Sequence, residues 1–210
     1  MKLLIAIPTT DYMHFEFVKS LIGLVEKLKE DGVDYEVKLK GLSLVYAARD
    51  YLASYAINNG FTDVLWLDAD MVFTPEILED LQFCGKPFVT GVAHSRRPPY
   101  SACTFSDISL NNVTHVGEYP NEPFRVAGCG FACVLIKTAI LKDVMTTYKS
   151  CFLPLQQYGE DIAFCKRAGE LGHEIWCDPA VRLGHIGHIT VYPEMREQYQ
   201  EELTKGWTIV

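Results

Sequence analysis

Val64-Leu65-Trp66-Leu67-Asp68-Ala69-Asp70 is a run of four apolar residues that ends abruptly in two carboxylates, one residue apart. A short apolar run without polar alternation marks a strand covered on both faces, the kind found in parallel sheets packed between helices. Leu3 to Ile7 repeats the pattern and ends at Pro8-Thr9-Thr10. Two buried strands whose carboxyl ends both open into polar loops define an α/β layer fold, and ligands of such folds sit at those strand ends.

The chain between and beyond these strands fits that reading. Asp11 is placed to cap a helix carrying Phe15, Val18, Leu21, Ile22, Val25 and Leu28 on one face, with Gly32 as its stop. Asp34 to Leu39 alternates as a half-exposed strand, and Ser43 opens a helix through Tyr46, Arg49, Leu52 and Tyr55 to Asn59-Gly60. Thr74-Pro75-Glu76 starts a short helix to Phe83, and Phe88 to Val92 is a further strand. Ser95 to Pro123 is irregular and predicts short strands and loops. Phe131 to Ile136 is a strand, Thr138 to Tyr148 a helix, Gly159-Glu160-Asp161 opens another helix ending at Gly172, and Ile175 to Leu183 is the last core strand. No repeat or linker divides the chain, so a single compact domain is expected over 1–210. Its first half covers about 1–92, its second about 93–190, and a polar amphipathic tail 191–210.

The 210 residues are 49% apolar and 22% charged, enough for a sizeable core. Nineteen basic against twenty-seven acidic residues give a net charge of −8, which removes the broad attraction that nucleic-acid binding needs. A small anionic ligand remains compatible, because one metal ion or a few arginines neutralise it locally. The sequence has no transmembrane-length apolar stretch, and Met1 to Pro8 reads as a strand rather than a signal peptide. Seven irregularly spaced cysteines read as reduced, buried small hydrophobes, so a cytoplasmic protein is expected.

Asp68 and Asp70 can project the same way from a strand end, where like charges repel and a hard cation attracts both. Mg²⁺ or Mn²⁺ between them would hold a phosphorylated ligand, although two aspartates also simply begin a solvated turn. Glu160 and Asp161 occupy a helix's first turn, where carboxylates complement the dipole; Asp161 could equally serve as a general base. His185 and His188 flank Ile186-Gly187, and strand parity favours His185 as the one facing the site. A zinc set of Cys165, Cys177, His185 and His188 matches no compact metal pattern. Gly128-Cys129-Gly130 suits close backbone approach to a ligand or an ordinary loop. Arg96-Arg97-Pro98-Pro99-Tyr100 offers cations and an aromatic for a phosphate or sugar, or is a solvated loop. Arg49, within an apolar-faced helix, needs an anionic partner if buried.

Taken in order, these segments resemble the GT-A nucleotide-sugar glycosyltransferases of the family 2 type. The matching elements are the strand into Pro8-Thr9-Thr10, Ala48-Arg49, Leu65 through Phe73, Ala127-Gly128-Cys129-Gly130-Phe131, Gly159 through Phe164, and Asp178 through His185. The resemblance implies a GT-A, Rossmann-like mixed and mostly parallel sheet flanked by helices. It also implies a UDP- or GDP-sugar donor, a Mn²⁺ or Mg²⁺ cofactor, and a glycan, lipid or protein acceptor. It places Pro8, Thr9, Thr10, Arg49, Gly128 and Gly130 around the donor, with Thr9 and Arg49 near the base or ribose. Asp68 falls at the ribose or metal shell, and Asp70 and His185 fall on the metal. Asp161, with Glu160 beside it, falls on the base of an inverting transfer.

Two other classes compete. Asp68-Ala69-Asp70-Met71-Val72 also resembles the nucleophile motif of haloacid-dehalogenase-type phosphatases, with Asp68 attacking phosphorus and Thr90 and Lys137 as later motif residues. In that case Cys165 stands where a second acid belongs. The other class is a module that binds nucleotide sugar or glycan without turnover. A nucleotidyltransferase would need a glycine-rich loop where Pro8-Thr9-Thr10 stands.

Overall fold

The computed structural model describes residues 1–10, 12–109 and 112–187. Strand β1 (Lys2–Thr9), buried from Leu3 to Ile7, pairs in parallel with β2 (Asp34–Gly41) on one side and β3 (Asp63–Leu67) on the other. Parallel neighbours need crossover connections. Helix α1 (Phe15–Glu30) joins β1 to β2, and α2 (Val45–Asn58) joins β2 to β3. Then come β4 (Met71–Val72), α3 (Ile77–Phe83) and β5 (Phe88–Val92). The segment after β5 forms β6 (Thr104–Ser109), β7 (Asn112–His115), β8 (Phe124–Val126) and β9 (Gly128–Cys129). The chain continues through β10 (Cys133–Lys137), α4 (Thr138–Tyr148), α5 (Glu160–Glu170), β11 (Ile175–Arg182) and β12 (Gly184–His185).

The central sheet has seven strands in the order β2-β1-β3-β10-β5-β11-β8, with β10 antiparallel to both of its neighbours and β8 antiparallel to β11. Side chains alternate across it. Leu3, Ile5 and Ile7 join a core with Phe17, Leu24 and Leu28 of α1 and Ile77, Leu78 and Leu81 of α3. Leu4, Ala6 and Trp66 join the opposite core with α2, α4 and α5, built around Phe131, Phe152 and Phe164. Gly91 of β5 permits close approach to β11: a Cβ there would lie 2.8 Å from the Val181 side chain.

Several element boundaries differ from the sequence reading. Helix α1 begins at Phe15, and its buried residues are Phe17, Ser20, Leu24 and Leu28. Phe15 (76% exposed) and Ile22 (54%) therefore face outward, because the period-3.6 stripe that meets the sheet runs through 17, 20/21, 24 and 28. The proposed cap, Asp11, lies outside the described residues. Helix α2 starts after Leu44 with no side-chain cap, so Ser43 does not open it. Thr74 accepts from Ile77 N in a preceding turn, and α3 begins two residues beyond Pro75. His188 and the tail 191–210 also lie outside the described residues.

Candidate functional site

The carboxyl ends of β1 and β3 border a cleft of about 400 Å³. Pro8, Thr9, Thr10, Arg49, Asp68, Asp70 and Glu160 all line it, so residues far apart in sequence meet there. β3 ends at Leu67, and in the parallel register Ala6↔Trp66 β1 runs two residues further, to Thr9, so the residues that follow Leu67 leave the sheet beside the end of β1. Asp68 is held at the strand tip by its N–H donating to Ala132 of the β10 approach and by its carbonyl accepting from Met71 N.

Arg49 is the electrostatic centre of the site. It is 3% exposed, with its guanidinium over the rings of Trp66, Phe131 and Phe152. Such a cation must be compensated. Its Nη2 donates to Asp68 Oδ1 at 2.7 Å, and its Nε lies 3.4 Å from Glu160 Oε1. Among the described residues its Nη1 finds no hydrogen-bond acceptor. Burial lifts the Asp68 carboxyl above its ordinary pKa, outweighing Arg49.

Asp70 is compensated separately. Its Oδ2 pairs with Arg96 and lies 3.4 Å from His185 Nε2. The antiparallel β12–β4 pair sets His185 opposite Met71, and Ile186 N donates to the Asp70 carbonyl. His185 Nδ1 meets the His94 carbonyl at 2.8 Å. Burial works against the Asp70 charge, but His185 and Arg96 outweigh it and hold its carboxyl below the ordinary value. His185 is pushed up to about 10, first by Asp70 and then by the Cys103 side chain.

Asp161 sits in the first turn of α5, its Oδ1 accepting from Ile162 N at 2.7 Å. Burial first, then the charge of Glu160, push its pKa up to about 6. Gly130 is beside it: a Cβ there would lie 3.6 Å from Asp161 Oδ2. Gly128 is instead packed between Ile108 and Cys165, and neither glycine lines the cleft.

Asp68, Asp70 and His185 are not gathered into one ligand set, and no cluster of three His, Cys, Asp or Glu side chains suited to a metal occurs among the described residues. Asp70 and His185 do offer a carboxylate oxygen and an imidazole nitrogen side by side. Those two side chains, 3.4 Å apart, are ligand types that a divalent ion accepts. Cys165 is buried at the Cys129 backbone and Cys177 is a core residue, so both serve packing. Lys137 pairs with Asp63 at 2.6 Å, at the opposite end of β3 from Asp68. Thr90 is buried with its hydroxyl on the Gly91 and Cys133 carbonyls. Neither residue reaches Asp68, which removes the phosphatase reading's supporting groups.

Sequence reasoning left Tyr12, His14, Leu42, Ser43, Val45 and Ala48 out of the site, although they line it. Their only signal is position, next to the ends of β1 and β2. Cys103, beside both His185 and Gly130, carried none.

This sheet, with its cleft at the ends of β1 and β3, is a GT-A-like fold. The chain is similar in structure to A197 from STIV, with a TM-score of 0.58 and 16% identity over 90% of this chain and 87% of that one. The catalytic domain of Drosophila beta1,4galactosyltransferase 7, in complex with xylobiose, matches with a TM-score of 0.54 and 13% identity over 94% and 79%. A mutant of that enzyme in complex with manganese, UDP-Gal and xylobiose matches with a TM-score of 0.50 and 12% identity over 93% and 78%. No family model matches the chain, and no curated protein matches it in sequence. Among the described residues no helix is long and apolar enough to cross a membrane.

Proposed function

We propose that this protein is a glycosyltransferase that moves a sugar from a nucleoside-diphosphate sugar to an acceptor hydroxyl with inversion. One observation carries the reading: the strand-end acid Asp68 and the helix-start acid Glu160, from opposite halves of the chain, are joined through buried Arg49 at a single cleft that Asp70 also lines. The GT-A-like fold supports it, as does a manganese- and UDP-Gal-bound structure of similar fold.

Thr9 and Thr10 bind the nucleoside side of the donor, and Arg49, buried and engaged with Asp68 and Glu160, positions those acids beside it. Asp70 and His185, with Asp68 at the same strand end, are the residues that would hold Mn²⁺ or Mg²⁺. When bound, a divalent ion stabilises the negative charge on the departing diphosphate. Asp161 accepts the acceptor hydroxyl's proton as the oxygen attacks the anomeric carbon and the bond to the diphosphate breaks. A carboxyl with a pKa of about 6 is ionised at neutral pH, yet more basic than a solvated aspartate. Glu160 adds the charge that raises it, and Arg49 keeps Glu160 in place.

Thermal stabilisation by UDP or GDP, measured with and without Mn²⁺, tests the reading. Stabilisation only in the presence of metal, and its loss in Asp70→Ala, is expected. Equal stabilisation without metal, or cleavage of a generic aryl phosphate abolished by Asp68→Asn, would refute it.

A further inference from the structure

Arg96 lies at the cleft as its one exposed arginine, and it has a conflict to resolve. Its guanidinium holds Asp70 Oδ2, the oxygen that also faces His185 Nε2. A divalent ion on that oxygen and a guanidinium on the same oxygen repel each other, so both cannot stay. The other arginine lining the cleft, Arg49, is buried and committed to Asp68 and Glu160, and among the described residues no lysine lines the cleft. The diphosphate of a nucleotide sugar carries two negative charges, and together with the Asp70 carboxylate that exceeds what one divalent ion cancels.

The backbone around Arg96 is tied down by hydrogen bonds, while its side chain reaches Asp70 along the exposed edge of the cleft. Ser95 N donates to the Ser101 carbonyl at 2.8 Å, Tyr100 N to the Arg97 carbonyl at 2.9 Å, and Ser95 Oγ to the Arg97 carbonyl at 2.8 Å. Gly187 packs so closely on Arg96 that a Cβ there would lie 3.3 Å from both the Arg96 Cβ and its carbonyl oxygen. The side chain itself is 44% exposed. A long cation on a tethered backbone at the cleft edge can exchange partners without moving the fold.

We propose that Arg96 is a diphosphate-binding residue: its guanidinium holds Asp70 before donor and metal bind, and passes to the donor's diphosphate when the metal ion takes Asp70. This rests on the donor-site reading above. Arg96 then completes the charge balance of the bound donor and makes metal and nucleotide binding mutually supportive, because the ion frees the guanidinium that the nucleotide needs.

The test uses full-length wild type, Arg96→Ala and Arg96→Lys. Mn²⁺ affinity is measured alone by electron paramagnetic resonance, and UDP and GDP affinities at saturating Mn²⁺ by calorimetry. Both nucleotides are used because the guanidinium reads the diphosphate they share. Arg96→Ala is expected to bind Mn²⁺ several-fold more tightly, having lost the competing cation, and UDP and GDP about 10-fold more weakly. Arg96→Lys should restore most of the Mn²⁺ behaviour but only part of the nucleotide affinity, since an ammonium cannot fork onto two phosphate oxygens. Unchanged nucleotide affinity in Arg96→Ala overturns the proposal alone, as does a parallel loss of metal and nucleotide. Wild type that binds neither probe overturns the donor-site reading, and this proposal with it.

Discussion

Asp161 has the most informative environment of any single residue in the site. As the base, it works only when ionised, so transfer should fall as pH drops through about 6, tenfold per unit well below that value. Asp161→Asn should keep nucleotide binding and lose that pH dependence together with most of the rate. Initial rates between about pH 5 and 8 check this. Stability supplies a second, independent readout. The folded-state pKa lies above the unfolded one, so the stabilising contribution is complete below the unfolded value near 4 and is lost as pH rises through about 6. Asp161→Asn should therefore gain on wild type between low and neutral pH, by on the order of 2 kcal/mol. Urea titrations at either end of that window decide it, and a variant that gains equally at both pH values would mean the carboxyl is not desolvated as described.

Helix α1 shows what an element's sequence reveals and what it hides. Its existence and its end were legible, from the apolar period and from Gly32, which takes φ +67° as a left-handed stop must. Which part of the apolar face is buried was not, because the apolar residues span about half the circumference and only the sheet decides which of them it covers. Leu24→Ala should cost about 2–5 kcal/mol, whereas Ile22→Lys should stay within about 0.5 kcal/mol of wild type. Chemical denaturation of both variants checks the facing, and comparable losses would restore the face read from sequence. The same limit applies to the site. Asp68, Asp70 and the Glu160-Asp161 pair were legible as acids at element ends. The Arg96 partnership with Asp70 was not, because it depends on a loop after β5 turning back to the tip of β3. His185 reaches Asp70 only through the two-residue β12–β4 pair, whose register no local pattern encodes.

At the scale of the whole molecule, the insertion of β10 between β3 and β5 makes the site. Running antiparallel, β10 pairs Cys133 with Leu67 and carries the Gly128–Phe131 approach past Asp68, so that Asp161 of α5 comes beside Gly130. The two halves of the chain thereby place Asp68, Asp70 and Glu160 around one cleft in a protein whose net charge is already −8. Three acids and two arginines line that cleft, so neither the molecule nor the cleft attracts a nucleoside diphosphate unaided. Salt screens such fields over roughly 10 Å at 0.1 M. If attraction came from a cationic surface, raising salt would weaken nucleotide binding; here the sign is reversed, because screening weakens a repulsion. In the presence of a chelator, the residual UDP affinity is therefore expected to stay level or tighten as NaCl rises from about 20 to 200 mM, while Mn²⁺ at constant salt strengthens it by about 100-fold. Calorimetric titration over that salt series reads both effects. A several-fold loss of metal-free affinity with salt would show that arginines, rather than a metal held by Asp70 and His185, supply the attraction.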